Sequence, residues 1–238
     1  MSINTAIGRK YDFYKNWIVP NGCYFIVRLD GNCFSSFTER YERPFDKNFY
    51  EGIKIAVKTL MTAVPDIYRV HFHSDEISCY FKKESEWFNR RVEKITSITA
   101  GILSVAFSME VKAQAHFDSR VIVLPTKEAI EEYEEDRRLN AFRGCVNSYS
   151  FYKWGEIVGS KQATKDLESM SSKERQELLF TTFGINIAKV PNWQRVGDFF
   201  EWEEYEKEGY NPLTKQKVMA IRRRIVALSN LSTIHKGI

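Results

Sequence analysis

Within the first 125 residues two hydrophobic periods alternate in a fixed order, and that order narrows the fold more than any single motif does. The run CYFIVRLDG, residues 23–31, is rich in β-forming residues and breaks at Asp30 and Gly31, which predicts a strand ending in a loop. From Asp46 to about Val64, Phe49, Ile53, Val57 and Leu60 recur at helical spacing, with Asp46 placed to cap the start and Pro65 to end it. IYRVHFH and ISCYFK then flank Ser74-Asp75-Glu76-Ile77 and read as two strands joined by a tight polar turn. Between about Glu84 and Glu110, Phe88, Val92, Ile95, Thr99, Ile102 and Ala106 are spaced by four and three, the stripe of a long helix packed on a sheet. FDSRVIVLP, residues 117–125, supplies a fourth strand.

The order β-α-β-β-α-β is the α+β, ferredoxin-like arrangement, in which two helices cover one face of an antiparallel sheet and leave the other face available. After Pro125 the pattern turns helical, through a Glu- and Arg-rich segment to Trp154 and then two shorter pieces around 160–183. FFEWEEYEK and VMAIRRRIVAL close the chain as a charged hairpin, with a helix over 215–229 the equal alternative. The expected organisation is one catalytic unit over 1–238: a core of about 20–125, a helical region of about 126–190 and a hairpin region of about 191–238.

A hydrophobic share of 43% and a charged share of 28% exclude a disordered chain. No uninterrupted apolar run approaches the roughly 20 residues that cross a bilayer, and the start MSINTAIGRKYDFYKNW lacks a signal-peptide core, so no membrane association and a cytoplasmic location are expected. Cys23, Cys33, Cys79 and Cys145 lie far apart without a C-x-x-C pair, which argues against structural zinc and for free thiols in a reducing compartment. The net charge of +4 permits an anionic partner and does no more.

The chemistry concentrates at two acidic positions. In this topology the first strand and the hairpin are neighbours, so Asp30 at a strand end approaches Asp75 at the turn. Two converging carboxylates repel unless a divalent cation compensates them, and oxygen donors suit magnesium. Such a site serves phosphoryl or nucleotidyl transfer, because magnesium completes its shell with water and substrate phosphates. Gly31 to Ser35 could turn backbone amides toward a triphosphate. Arg90, Arg91 and Lys94 share a helix surface, where like charges suggest either an anion site or a solvated basic face. His71 and His73 share one strand face and are read as structural.

These segments resemble the tRNA-His guanylyltransferase superfamily, particularly its shorter guanylyltransferase-like branch of 3′-to-5′ RNA polymerases. The resemblance rests on IVRLDGNCFSSFT, RPFD at Arg43 to Asp46, HSDEISCYF, RRVEKITS at Arg90 to Ser97, and FDSRVIVLP. Weaker echoes continue in RGCVNSYSFYKW, QELLF at Gln176 to Phe180, and VPNWQRVG. The resemblance implies a polymerase-type palm in which Asp30, the Gly31 carbonyl and Asp75 bind two magnesium ions and Glu76 supports the acidic centre. It further implies that Asn32, Cys33, Phe34, Ser35 and Ser74 line the incoming nucleotide, and that Arg91 and Lys94 contact its triphosphate or that of the activated RNA end. The implied partners are tRNA, GTP, ATP and other nucleoside triphosphates, with assembly as a homotetramer.

Departures cluster in DRRLNAFRGCVNSY, where Asp136-Arg137-Arg138 stands for the usual W-R-Q, and Phe142 and Gly144 for a histidine and an asparagine. Phenylalanine neither donates a hydrogen bond nor titrates. Ser35 replaces a loop histidine, and Arg175 replaces a lysine. With these changes the resemblance implies template-dependent 3′-to-5′ addition that repairs the 5′ end of a tRNA after nucleotide activation of the 5′ phosphate. The alternative is addition of a single guanylate to tRNA-His. A nucleotidyl cyclase and a silent tRNA-binding relative rank lower.

Overall fold

The computed structural model describes residues 11–211, 213 and 215–228. Its strands are β1 (Tyr24–Asn32), β2 (Ile67–His73), β3 (Glu76–Phe81), β4 (His116–Leu124), β5 (Asp198–Asn211) and β6 (Gln216–Ala227). They form a six-stranded sheet in the order β4-β1-β3-β2-β5-β6, antiparallel at every pairing. The first four strands keep the expected ferredoxin-like arrangement, and the longer helices are α1 (Lys47–Ala63), α2 (Val92–Val111), α3 (Lys127–Val158), α4 (Ser160–Glu168) and α5 (Ser172–Phe183). Asp46 caps α1 as its position predicts, its Oδ1 accepting from the Phe49 amide at 2.8 Å.

The second helix starts later than its sequence stripe suggests. Phe88, Asn89 and Arg90 have φ of 51°, 53° and 59°, a left-handed run that no right-handed helix contains. Arg90 holds this run: its guanidinium is buried and donates to the carbonyls of Val19, Pro20, Cys23, Lys83 and Ser85 at 2.9–3.1 Å. It therefore shares no exposed surface with Arg91 and Lys94, contrary to expectation. The buried positions of α2 are Ile95, Thr99, Leu103 and Phe107, while Ile102 and Ala106 are only half-buried. By length and composition these 20 residues could cross a membrane, because serines and threonines break the apolar run without charging it. Here Ile95, Leu103 and Phe107 belong to the core of the sheet.

That core joins Phe25, Val27 and Leu29 of β1 to Ile53 and Val57 of α1 and to α2. The alternate β1 residues face the other way, where Ile26 and Tyr80 pack on Ile130 of α3. The face expected to be open is thus partly covered, because a helix of 32 residues is about 48 Å long and folds back over the sheet. A second apolar cluster, Phe142, Cys145, Val146, Leu179 and Ile187, ties α3 to α5. The C-terminal segment is a hairpin rather than the alternative helix over 215–229; residue 229 and residues 1–10 of the start segment lie outside the described residues. Only Asp198–Glu201 of β5 pair with β2, so the rest of the hairpin runs on past β2 as a two-stranded extension of the sheet, cross-linked by Arg224–Glu203 at 2.5 Å and Lys217–Glu208 at 2.6 Å.

Candidate active site

Asp30 lies near the end of β1, opposite Asp118 of β4, and shares its sheet face with Arg28 by the period of two. Asp75 sits in the two-residue turn between β2 and β3, where Ser74 has φ of 53° and its hydroxyl donates to Asp75 Oδ1 at 3.0 Å. Gly31 joins the two carboxylates. A Cβ there would stand 2.7 Å from Asp75 Oδ2 and nearer still to the Phe34 ring, so the carboxylate of Asp75 rests against the backbone that follows Asp30. The convergence expected from the topology is therefore present, and glycine is required by contact.

Electrostatics follow from this packing. Burial raises the Asp75 carboxyl to about 6, with Asp30 and Glu76 adding to the rise while a backbone amide and Ser74 oppose it. Asp30 is raised by burial first and then by Glu76, against the lowering effect of Arg28. Glu76 points to Arg28, with which it forms a close ion pair, and to Arg137 at 3.6 Å. Arg120 approaches Asp30 at 3.8 Å. Two oxygen-donor carboxylates that resist ionisation together match a hard divalent cation. Among the described residues no group of three or more His, Cys, Asp and Glu is placed to hold an ion; the pair itself is oxygen-only, a donor set that fits a cation taking one or two carboxylates and filling its shell with water and phosphate oxygens.

Two cavities meet at Asp75. The smaller, of about 200 Å³, is walled by Ser35, Thr38, Tyr41, Tyr50 and Trp193 and ends at Ser74 and Asp75. Trp193 stacks on Tyr50 with ring centroids 4.5 Å apart. The larger, of about 510 Å³, runs from Asp30, Asp75 and Glu76 to Arg137, Asn140, Ser148 and Tyr152 on α3. Arg43, Pro44, Phe45, Ser74 and Asp75 line both. Of the loop residues, Asn32 and Cys33 are exposed and Cys33 takes a left-handed φ of 59°, which turns the chain into the helical turn Phe34–Phe37. Phe34 is mainly a core residue, packed on Phe37, Phe49, Phe107 and Phe117, with an edge in the smaller cavity.

Arg91 and Lys94 are not brought to this centre within one chain. They start α2, on the sheet face opposite Asp30, where Arg91 pairs with Glu93 at 2.9 Å and neither residue lines a cavity beside the carboxylates. The geometric reason is that α2 begins beside Trp17 and Val19, at the start of β1, whereas Asp30 is near its end. The cations that do surround the carboxylates are Arg28, Arg43, Arg120 and Arg137. Arg28 could have been found as the same-face neighbour two residues before Asp30; Tyr50 carried no local signal, and Trp193 and Arg137 stood in segments noted only for the resemblance. His71 and His73, read as structural, are bonded to the carbonyls of Val196 and Gln194 at 2.8 and 2.9 Å; burial lowers His71 to about 3, and His73 also lines the larger cavity. Phe142 is buried in the α3–α5 cluster, and Gly144 lines the larger cavity. Arg175 is held by the carbonyls of Leu167 and Met170 and by Asn147.

The family model described as tRNAHis guanylyltransferase (Thg1) matches residues 7–125, half of the chain. A tRNA(His) guanylyltransferase from Debaryomyces hansenii is 29% identical, over 88% of this chain and 84% of its own length. A probable tRNA(His) guanylyltransferase from mouse is 26% identical, over 92% of this chain and 82% of its own. A bacterial tRNA(His) guanylyltransferase (Thg1)-like protein solved in complex with ATP superposes with a TM-score of 0.74 at 25% identity, covering 82% of this chain and 86% of that one. The tRNA(His) guanylyltransferase of Saccharomyces cerevisiae shares the fold, with a TM-score of 0.75 at 22% identity over 92% and 96%.

Proposed function

The chain belongs to the tRNAHis guanylyltransferase family and is a nucleotidyltransferase; from that premise we propose that it adds a nucleotide to the 5′ end of a tRNA, acting at Asp30 and Asp75. The observation that carries this reading is the convergence of the two carboxylates across Gly31, both raised by burial and by like charge. The described chain acts as one catalytic unit, and the names of its relatives favour a single guanylate on tRNA-His as the product.

The smaller aromatic cavity takes the nucleobase, with Tyr50 and Trp193 as stacking surfaces and Ser35 at its wall. The phosphates then lie toward Gly31, Asn32, Cys33 and Ser74, at the mouth shared with the larger cavity. That larger cavity receives the RNA end beneath α3, where Arg137 and Asn140 offer donors. Asp30, Asp75 and the Gly31 carbonyl would hold two magnesium ions, which neutralise charge on the reacting phosphate and on the leaving pyrophosphate. Glu76 keeps Arg28 and Arg137 aimed at this centre. The Arg91 and Lys94 contacts implied by the resemblance require a triphosphate outside the two cavities beside the carboxylates. In the homotetramer we propose, such a contact would come from a neighbouring copy. A cytoplasmic location fits the four free thiols.

Templated repair is the second reading, favoured by Phe142, which places an apolar core residue where the family usually has histidine. Both readings are tested by incubating the protein with magnesium, labelled nucleoside triphosphates and either full-length tRNA-His or a tRNA lacking its first nucleotide. Label should enter the 5′ end, and Asp30→Ala and Asp75→Ala should abolish it. No transfer to either RNA, or transfer surviving both substitutions, would reject the proposal. Guanylate on the full-length tRNA supports single addition, and complement-directed addition to the shortened one supports repair.

A further inference from the structure

Several arginines surround the carboxylates, and they are not equivalent. Arg28 is committed to Glu76, and Arg137 to Asp136 and Glu76. Arg120 leans on Asp30. Arg43, exposed at the boundary of both cavities, has no carboxylate partner among the described residues. Its guanidinium instead lies over the ring of Tyr152, 5.2 Å from the centroid, reaching across from the loop before α1 to the inner face of α3.

We propose that Arg43 is the clamp for the nucleotide's phosphate chain and that Tyr152 is its positioning residue. The inference rests on the nucleotidyl-transfer reading above and adds to it which cation meets the triphosphate. An arginine already paired with a carboxylate must give up that pair to bind phosphate, whereas Arg43 presents its donors unshared. The location suits the task, because a nucleotide with its base in the smaller cavity must carry its phosphates across the boundary that Arg43 lines before they reach Asp30 and Asp75. The ring of Tyr152 answers the remaining difficulty. A long exposed arginine loses rotamer freedom when it binds, and a side chain already held against an aromatic face loses less. Tyr152 touches no phosphate in this arrangement and acts through Arg43 alone.

The test is equilibrium dialysis of the full-length protein with magnesium and either a non-hydrolysable GTP analogue or guanosine, with 5′ transfer to RNA measured separately. Arg43→Ala should weaken the triphosphate analogue by roughly 10- to 100-fold, the range of a charge-assisted bond, and guanosine hardly at all. Tyr152→Leu should weaken it by roughly two- to fivefold, the scale of an exposed cation–π contact, and Tyr152→Phe should restore binding. The double variant Arg43→Ala, Tyr152→Leu should bind no more weakly than Arg43→Ala alone. Additive losses, an equal loss for guanosine, or unchanged triphosphate binding in Arg43→Ala would overturn the clamp. A parent protein that binds and transfers while Tyr152→Leu matches it overturns this inference only; a parent that binds no triphosphate overturns the nucleotidyl-transfer reading as well.

Discussion

Replacing Gly31 by alanine isolates the contact on which the centre depends. The added methyl would stand 2.7 Å from Asp75 Oδ2, closer than real Cβ atoms come to any neighbour. Reaching an ordinary carbon–oxygen separation of about 3.3 Å requires a shift of about 0.6 Å or more, and the Phe34 ring must move as well. Phe34 is 4% exposed within the main core, so its displacement is an overpacking change costing about 1–3 kcal/mol. For a chain of this length that lowers Tm by roughly 2–12 °C and leaves the protein folded at 25 °C. Displacing a reacting group by about 1 Å costs on the order of 100-fold in rate, so single-turnover transfer should fall by roughly 10- to 100-fold. Adding Phe34→Leu relieves the ring but not the carboxylate; Tm should partly recover while the rate stays low. Differential scanning fluorimetry and single-turnover transfer with labelled GTP read the two effects. Parent-like transfer in Gly31→Ala would refute the geometry, and recovery of rate together with Tm in the double variant would show that the carboxylate was never displaced.

Asp75 also makes stability depend on pH. Because its folded carboxyl is raised to about 6 above the usual 3.8, its contribution is present below about pH 4 and is lost as pH rises through 6. Asp75→Asn without magnesium should therefore melt above the parent at pH 7.5 and no longer gain Tm from added magnesium; a lower Tm would contradict the burial argument. Arg90→Ala strands five carbonyls and should cost about 3–5 kcal/mol, or roughly 6–20 °C in Tm, with Arg90→Lys recovering only part, as thermal melts would show. Arg91→Ala and Lys94→Ala should leave GTP affinity of the dilute, unassembled chain within about twofold by dialysis, since neither residue lines the two cavities beside the carboxylates.

The palm was legible because each of its signals is local. The break at Asp30-Gly31, the cap at Asp46 and the turn at Ser74-Asp75 specify their own strand and helix ends, and the ferredoxin-like order then brings the two aspartates together. What escaped depends on contacts between distant segments. The start of α2 is fixed by Arg90 reaching carbonyls of Val19, Pro20 and Cys23, and a periodic stripe carries no trace of that. Trp193 enters the smaller cavity from about 140 residues beyond Tyr50, beside which it stacks. Arg91 and Lys94 were joined to the centre by motif resemblance; only the direction of α2 across the sheet shows that they begin at the far side of it.

The pairing of β5 with β2 has a consequence for how much of the chain the chemistry needs. β2 leads into the turn that carries Asp75, and it is an interior strand only because Asp198–Glu201 cover its outer side. A protein cut before Asp198 would retain Asp30, Asp75 and the whole α1–α2 layer, yet the turn that carries Asp75 would hang from a newly bared edge with Val70, Phe72 and their backbone groups open to other chains. Such a fragment should self-associate before it turns over, which makes the last thirty or so described residues, remote from the reaction in sequence, a condition of its solubility.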